Sequence, residues 1–251
     1  MKTIVKRFLA FLISRLPARK FLSFLQFAIE SRASESSPAD GLRLLLTLDN
    51  KLYSLQGRLS VAYDHGIHTK HRHTKYHDFF VARISADCHV LDIGCGTGSL
   101  AFDIATRSNA RVSAVDISQE SISIARERFH HPGLEFFVAD ASKNLPGGSY
   151  DVIVLSNFLE HLTHRPEFLK RVIDVTGARR TLIRVPLFER DWRVPLKQEL
   201  ALEWRCDPTH ETEYTLESFA LEMQQADLAV SHLEVRWGEI WCECLPIQHG
   251  F

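Results

Sequence analysis

Apolar and polar residues change period several times along this chain, and each change marks a different kind of element. In the first thirty residues two short apolar runs, 8–13 and 21–29, lie between basic side chains. Their pattern predicts two amphipathic helices broken at Pro17, which lacks the amide needed to continue a helix. Residues 31–40 are polar and serine-rich and read as a flexible linker. Leu45, Leu48, Leu52, Leu55 and Leu59 then recur at spacings of three and four. Lasting barely two heptads, this pattern predicts a helix packed on the domain rather than a coiled coil.

From residue 87 the period alternates between strand and helix. Strands are predicted at 89–93, 112–117, 134–139, 152–155 and 181–185, and helices at 100–107, 118–129, 167–175 and 215–225. Ser118 has the chemistry of an N-cap. Regular βα alternation at this length predicts an open α/β fold, a doubly wound parallel sheet with crossover helices. The runs 229–237 and 240–245, parted by Gly238-Glu239, predict an antiparallel hairpin that closes the sheet. Four segments result: a basic helical extension (1–30), a linker (31–40), a helical cap (41–86) and the α/β domain (87–251).

The bulk numbers narrow the classes. The chain has 251 residues, 45% hydrophobic and 24% charged, with a formal net charge of -1. That is enough for a sizeable core, and no global field draws the chain to nucleic acid. Five cysteines without regular spacing argue for a reducing, cytoplasmic setting, and Cys242 and Cys244 read as buried packing on one strand face. Neither N-terminal run reaches the roughly 20 apolar residues that span a bilayer. The basic helices suit either a membrane interface, with peripheral attachment, or docking on the protein or on a second subunit. Residues 67–80 hold four histidines with two lysines and one arginine, either a cationic face over an anionic ligand or a plain solvated helix.

The chemistry concentrates at Val90-Leu91-Asp92-Ile93-Gly94-Cys95-Gly96-Thr97-Gly98. An apolar strand ends in glycines at every second position, which brings bare backbone against a ligand. The spacing is G-x-G-x-G, not the G-x-G-x-x-G that seats a pyrophosphate. Asp116 and Asp140 end the next two strands, where one carboxylate can meet a ribose diol and the other an adenine amine. Acids at three successive strand tips suit a cationic sulfonium and repel a pyrophosphate.

VLDIGCGTG, AVDIS, ADA and YDVIVLSNFLEHL resemble, in order and spacing, the motifs of class I S-adenosylmethionine (SAM)-dependent methyltransferases, over about residues 88–245. The resemblance implies a Rossmann-like, mostly parallel seven-stranded sheet whose last strand is antiparallel, and SAM as cofactor. It implies that Gly94, Cys95 and Gly96 line the methionine part, that Asp116 holds the ribose, and that Asp140 with Ala141 meets the adenine. Asp92, Ile117, Ser156 and Asn157 complete the expected cofactor lining. Leu159-Glu160-His161 is most similar to small-molecule O-methyltransferases of the ubiquinone type, which also pair an arginine before the glycine turn with the SAM carboxylate. Arg72 is the counterpart here, ahead of Lys75 and Tyr76. Such enzymes hold a divalent metal with acids around the Glu-His pair; Asn157 replaces one of them, so no metal is expected.

A hydroxyl acceptor needs a base, and imidazole has a suitable pKa. His161, just past the fourth strand, is the first candidate and His210 the second; a structural hydrogen-bonded role is the alternative for each. Residues 186–197, with Trp204 and Arg205, read as a polar and aromatic lid over the acceptor. The expected acceptor is a small molecule, a glycan or a lipid-linked compound. Nucleic acid is not expected, since the chain lacks a basic stripe and a Pro-Pro-Tyr or Pro-Cys signature after strand four. A non-catalytic SAM-fold partner or membrane-docked scaffold is the competing class.

Overall fold

The computed structural model describes residues 2–247, which fall into two compact units: residues 2–59 with 196–204, and residues 60–195 with 205–247. In the first unit α1 (Lys2–Arg15) and α2 (Ala18–Ser34) part at Pro17, and α3 (Pro38–Tyr63) follows. The linker expected at 31–40 reduces to residues 35–37, because its serines serve the helices. Ser34 Oγ donates to the Glu30 carbonyl (2.7 Å) and Ser36 Oγ to the Arg32 carbonyl (2.9 Å), while Ser37 Oγ accepts from the Asp40 amide (3.2 Å) as α3 begins. A Cβ on Gly41 would sit 3.2 Å from the Ala33 carbonyl oxygen, so α2 and α3 meet closely there. Burial on α3 falls at Gly41 and Leu46, while Leu45, Leu52, Leu55 and Leu59 of the leucine line are exposed, against expectation. Residues 196–204 are tied to α3 by Lys197 Nζ on Asn50 Oδ1 (2.6 Å) and Asn50 Nδ2 on the Glu203 carbonyl (2.8 Å).

The second unit opens with two short helices, α4 (Lys70–Thr74) and α5 (Tyr76–Val81), joined at Lys75 in the left-handed region (φ 53°). Then come β1 (His89–Ile93), α6 (Ser99–Ser108), β2 (Arg111–Asp116), α7 (Gln119–Arg128), β3 (Leu134–Val138), β4 (Val152–Ser156), α8 (Arg165–Thr176) and β5 (Arg180–Pro186). After α9 (Arg193–Glu199) and α10 (Leu216–Gln225), the chain ends in β6 (Leu228–Arg236) and β7 (Glu239–Pro246). Ser118 caps α7 as expected, accepting from the Ser121 amide. The seven strands form one sheet in the order β3-β2-β1-β4-β5-β7-β6, parallel except for β7. The hairpin turn is Trp237-Gly238, both at positive φ (54° and 74°), one residue earlier than predicted. The expected lid segment carries α9.

Alternate residues of the central strands feed two cores, as a parallel sheet covered on both faces requires. Leu91, Ile93, Ile153 and Leu155 pack with α8 and α10 residues such as Leu169 and Phe219. Val90, Val152 and Val154 pack with Phe80, Ile104 and Ile122 of α5, α6 and α7. Cys242 and Cys244 are buried in β7 with sulfurs 3.4 Å apart.

Candidate cofactor and acceptor site

The turn after β1 is curled onto β2 by the Gly94 and Cys95 amides, which both donate to the Val115 carbonyl (2.8 and 3.0 Å). Gly94, Gly96 and Gly98 all have positive φ (76°, 54° and 82°), yet they serve three purposes. A Cβ on Gly98 would lie 2.6 Å from the Phe136 ring and 2.9 Å from Ala125 Cβ, so this glycine lets α6 pack. On Gly94 it would meet Phe158 at 2.4 Å. On Gly96 it would meet nothing within 4 Å, leaving bare backbone facing open space. Asp116, at the tip of β2, accepts from the Gly96 and Ser118 amides (both 2.8 Å) and so holds the turn beside its own carboxylate. Ile117 beside it is 71% exposed. Asp140 accepts from Ser142 Oγ (2.5 Å) and pairs with Lys143 (2.9 Å), which hold its carboxyl at about 2; Ala141 next to it is buried.

Asp92 lies under the turn, fully buried, with Oδ2 unpartnered. Burial, and then the Asp116 charge, push its carboxyl up to about 7, and burial does the same to Glu160. The folded chain thus keeps protons that the unfolded chain releases near pH 4, so stability declines as pH rises from about 4 to about 7. Asp92→Asn should flatten that decline, gaining on the order of a few kcal/mol near neutral pH without cofactor. Urea titrations across the window check this; an unchanged slope would show that Asp92 is not the group responsible.

Before β1, Arg72 is half-exposed, its Nε 3.4 Å from Asp64, and it lines a cavity of about 470 Å³ with His71, Lys75, Ser99 and Phe102. Tyr76 is buried beneath the Arg184 guanidinium (3.7 Å from the ring centroid), its hydroxyl raised to about 12 by burial and so kept protonated, a donor. Burial drives His71 down to about 3 and lowers His68, so residues 67–80 carry less positive charge than their letters count.

A second cluster of polar side chains is built where β4 ends. Ser156 Oγ accepts from Arg184 (3.0 Å), whose other nitrogens hold Glu239 in a two-point pair (both 2.6 Å). Asn157, at φ 54°, donates its amide to the Arg184 carbonyl (2.7 Å) and its Nδ2 to Glu160 Oε1 (2.8 Å). Glu160 is fully buried, with Oε2 unpartnered, and its carbonyl accepts from the Glu211 amide (2.7 Å). That contact draws the loop before α10 against the end of β4.

Both histidines singled out in the sequence meet there, their rings edge to face with centroids 4.7 Å apart. Thr209 Oγ1 donates to Asp207 Oδ1 (2.7 Å), and its oxygen lies 3.0 Å from His161 Nδ1. A hydroxyl has one proton; with that proton on Asp207, Thr209 accepts from His161 Nδ1–H, and the basic lone pair is left on Nε2. Burial, then His210, lower the His161 pKa, which keeps the imidazole neutral. His210 is buried, its Nδ1 3.0 Å from Glu213, which also binds Arg190 and the Cys206 amide. Glu160, Thr209, Asp207 and Glu213 went unassigned in the sequence. The acid-rich Asp207–Glu213 loop was the available signal, but which acid serves which histidine depends on the docked loop.

A family profile described as a methyltransferase domain matches residues 90–178. Ajmaline N-methyltransferase of Rauvolfia serpentina is 29% identical over 41% of this chain and 37% of its own length. Ubiquinone biosynthesis O-methyltransferase of Bradyrhizobium diazoefficiens is 26% identical over 59% of this chain and 64% of its own. The chain thus spans less than two thirds of either relative. Among solved structures, magnesium protoporphyrin IX methyltransferase from Synechocystis PCC 6803 with bound SAH shares the fold at a TM-score of 0.56 and 17% identity, over 69% of this chain and 83% of that one. The glycine turn, the acids at the strand tips and the sheet order therefore agree with the profile: residues 90–178 are similar to a methyltransferase domain, and the sheet has the fold of a SAM-dependent methyltransferase.

Proposed function

We propose that this chain transfers the methyl group of SAM to a hydroxyl of a small-molecule, glycan or lipid-linked acceptor, with His161 as the general base. The observation that carries this reading is the Asp207–Thr209–His161 chain, which presents a neutral Nε2 lone pair beside the end of β4. When bound, SAM supplies an electrophilic methyl group on a sulfonium. The chain's own residues do the rest. Open backbone at Gly96, with Gly94 and Cys95, receives the methionine part, and Arg72 or Lys75 meets its carboxylate. Asp116 takes the ribose, Asp140 and Ala141 the adenine edge, and Ile117 covers the ring. Asp92, Ser156 and Asn157 support this lining from beneath. Holding acceptor and donor in line supplies most of the acceleration, with effective molarities of about 10⁵ M or more in well-oriented systems. His161 Nε2 takes the hydroxyl proton, and His210, steadied by Glu213, orients its ring.

The residues do not fit a hard divalent cation. Glu160, His161 and His210 offer ligand atoms within 4.8 Å of one another, but Asn157 turns its amide nitrogen toward Glu160 where a second carboxylate would be wanted. Dialysis against EDTA should leave turnover unchanged. Loss of turnover restored by a divalent ion would replace the base with a metal site.

The partners in this reading are the acceptor and, at residues 1–30, a membrane contacted peripherally from the cytoplasmic side; nucleic acid is outside the set. Calorimetry should show SAM binding in the micromolar range, and labelled SAM with a metabolite or glycan extract should yield a labelled hydroxyl product by mass spectrometry. Absence of SAM binding would favour a non-catalytic scaffold.

A further inference from the structure

No described helix is long and apolar enough to cross a membrane, yet α1 and α2 expose large apolar side chains in ordered lines. On α1, Phe8, Phe11, Leu12 and Arg15 follow the i, i+3, i+4, i+7 spacing of one helix face, and the Arg15 guanidinium lies 4.8 Å from the Phe11 centroid. Phe8 is 61% exposed, and Phe11, Leu12, Ile13 and Leu16 are exposed as well. On α2 two lines separate. Phe21, Leu25 and Ile29 are half-buried, on the helix whose Ala33 carbonyl meets Gly41 of α3. Lys20, Phe24 and Phe27 run along another face, with Phe24 65% and Phe27 68% exposed, and no residue of α2 is fully buried. An isolated exposed leucine means little, but a run of phenylalanines across two consecutive helices marks a surface meant to be covered.

Charge decides what covers it. Lys6, Arg7, Arg15, Arg19 and Lys20 are exposed on these helices, and no acid precedes Glu30. A second copy of the same basic face would have to bury that charge unopposed, and a protein partner would have to supply matching acids. An anionic lipid headgroup layer neutralises the cations while the acyl boundary takes the rings. We propose that α1 and α2 lie flat on an anionic membrane surface, inserting Phe8, Leu12, Phe24 and Phe27 below the headgroups, with Arg15, Arg19 and Lys20 on the phosphates. This rests on the reading of residues 1–30 as a peripheral membrane contact and commits it to one face and one lipid charge.

The test is co-sedimentation of the full chain with vesicles of phosphatidylcholine alone and with about one-quarter phosphatidylglycerol. Binding is expected to the mixed vesicles, to fall with salt, and to be at least tenfold weaker on phosphatidylcholine alone. Arg19→Glu with Lys20→Glu should weaken it by about 20-fold or more, since each cation near an anionic surface contributes roughly fivefold. Phe8→Ser with Phe24→Ser and Phe27→Ser should abolish it while SAM binding by calorimetry stays intact, which separates a lost docking face from lost folding. Equal binding to both vesicles would overturn the anionic commitment, and undiminished binding by both variants would move the contact off this face. No binding to either vesicle would remove the membrane contact itself, and a Phe-dependent dimer in its place would assign the face to a second copy. None of these outcomes bears on methyl transfer, which the labelled-SAM assay tests separately.

Discussion

His161→Ala is expected to bind SAM as the parent does but to lose turnover by about 10²- to 10⁴-fold, the range general-base catalysis supplies. The loss should fall on kcat, because the proposed role of the imidazole is at the acceptor proton, apart from the proposed cofactor lining. Thr209→Val sharpens the point. It removes the group that accepts from His161 Nδ1, so the ring loses its fixed tautomer while keeping its position next to His210. A smaller loss is expected there, with the ring no longer reserving Nε2 as the acceptor. On the acid side, activity should fall as His161 gains a proton. That fall should come below the ordinary histidine value, because burial and His210 both disfavour the charged ring. Undiminished turnover in His161→Ala would remove the base, and His210 would be tested next.

Gly96 and Gly98, two residues apart in sequence, should fail in opposite ways when substituted. Gly98→Ala puts a methyl group 2.6 Å from Phe136 at a φ of 82°, so it should unfold the domain at lower denaturant, by roughly 2–4 kcal/mol from strain and overpacking together. Gly96→Ala finds open space at a φ of 54° and should cost stability only about 1 kcal/mol, the strain of a left-handed alanine. Its methyl group projects where the methionine part of SAM is proposed to lie. Crowding there of about 1–3 kcal/mol should weaken SAM binding by roughly 5- to 150-fold. Urea titration and calorimetry on the pair read both quantities. Equal SAM affinity in Gly96→Ala and the parent would move the cofactor away from this turn.

Local chemistry was legible wherever a segment's own letters decide its conformation. Three glycines after an apolar strand, serine before α7 and proline between α1 and α2 each act within a few residues, and the structure has those elements at those places. Where a residue had two possible partners, local reading failed. The serines of 31–40 looked like linker but hydrogen-bond back into helices, and the leucine line of α3 looked like a packing seam but is exposed. The segment read as a lid carries α9.

The sequence by itself determined the α/β alternation, the glycine turn and the acids at the strand tips, because strand period and turn stereochemistry are short-range properties. Only the tertiary structure decided the order β3-β2-β1-β4-β5-β7-β6 and which of three similar glycines stays open. It also brought the Asp207–Thr209 pair to His161 across nearly fifty residues, a contact held by the Glu211 amide on the Glu160 carbonyl. Such pairings depend on which loops the packed sheet edge brings together, and no periodicity in the chain encodes that.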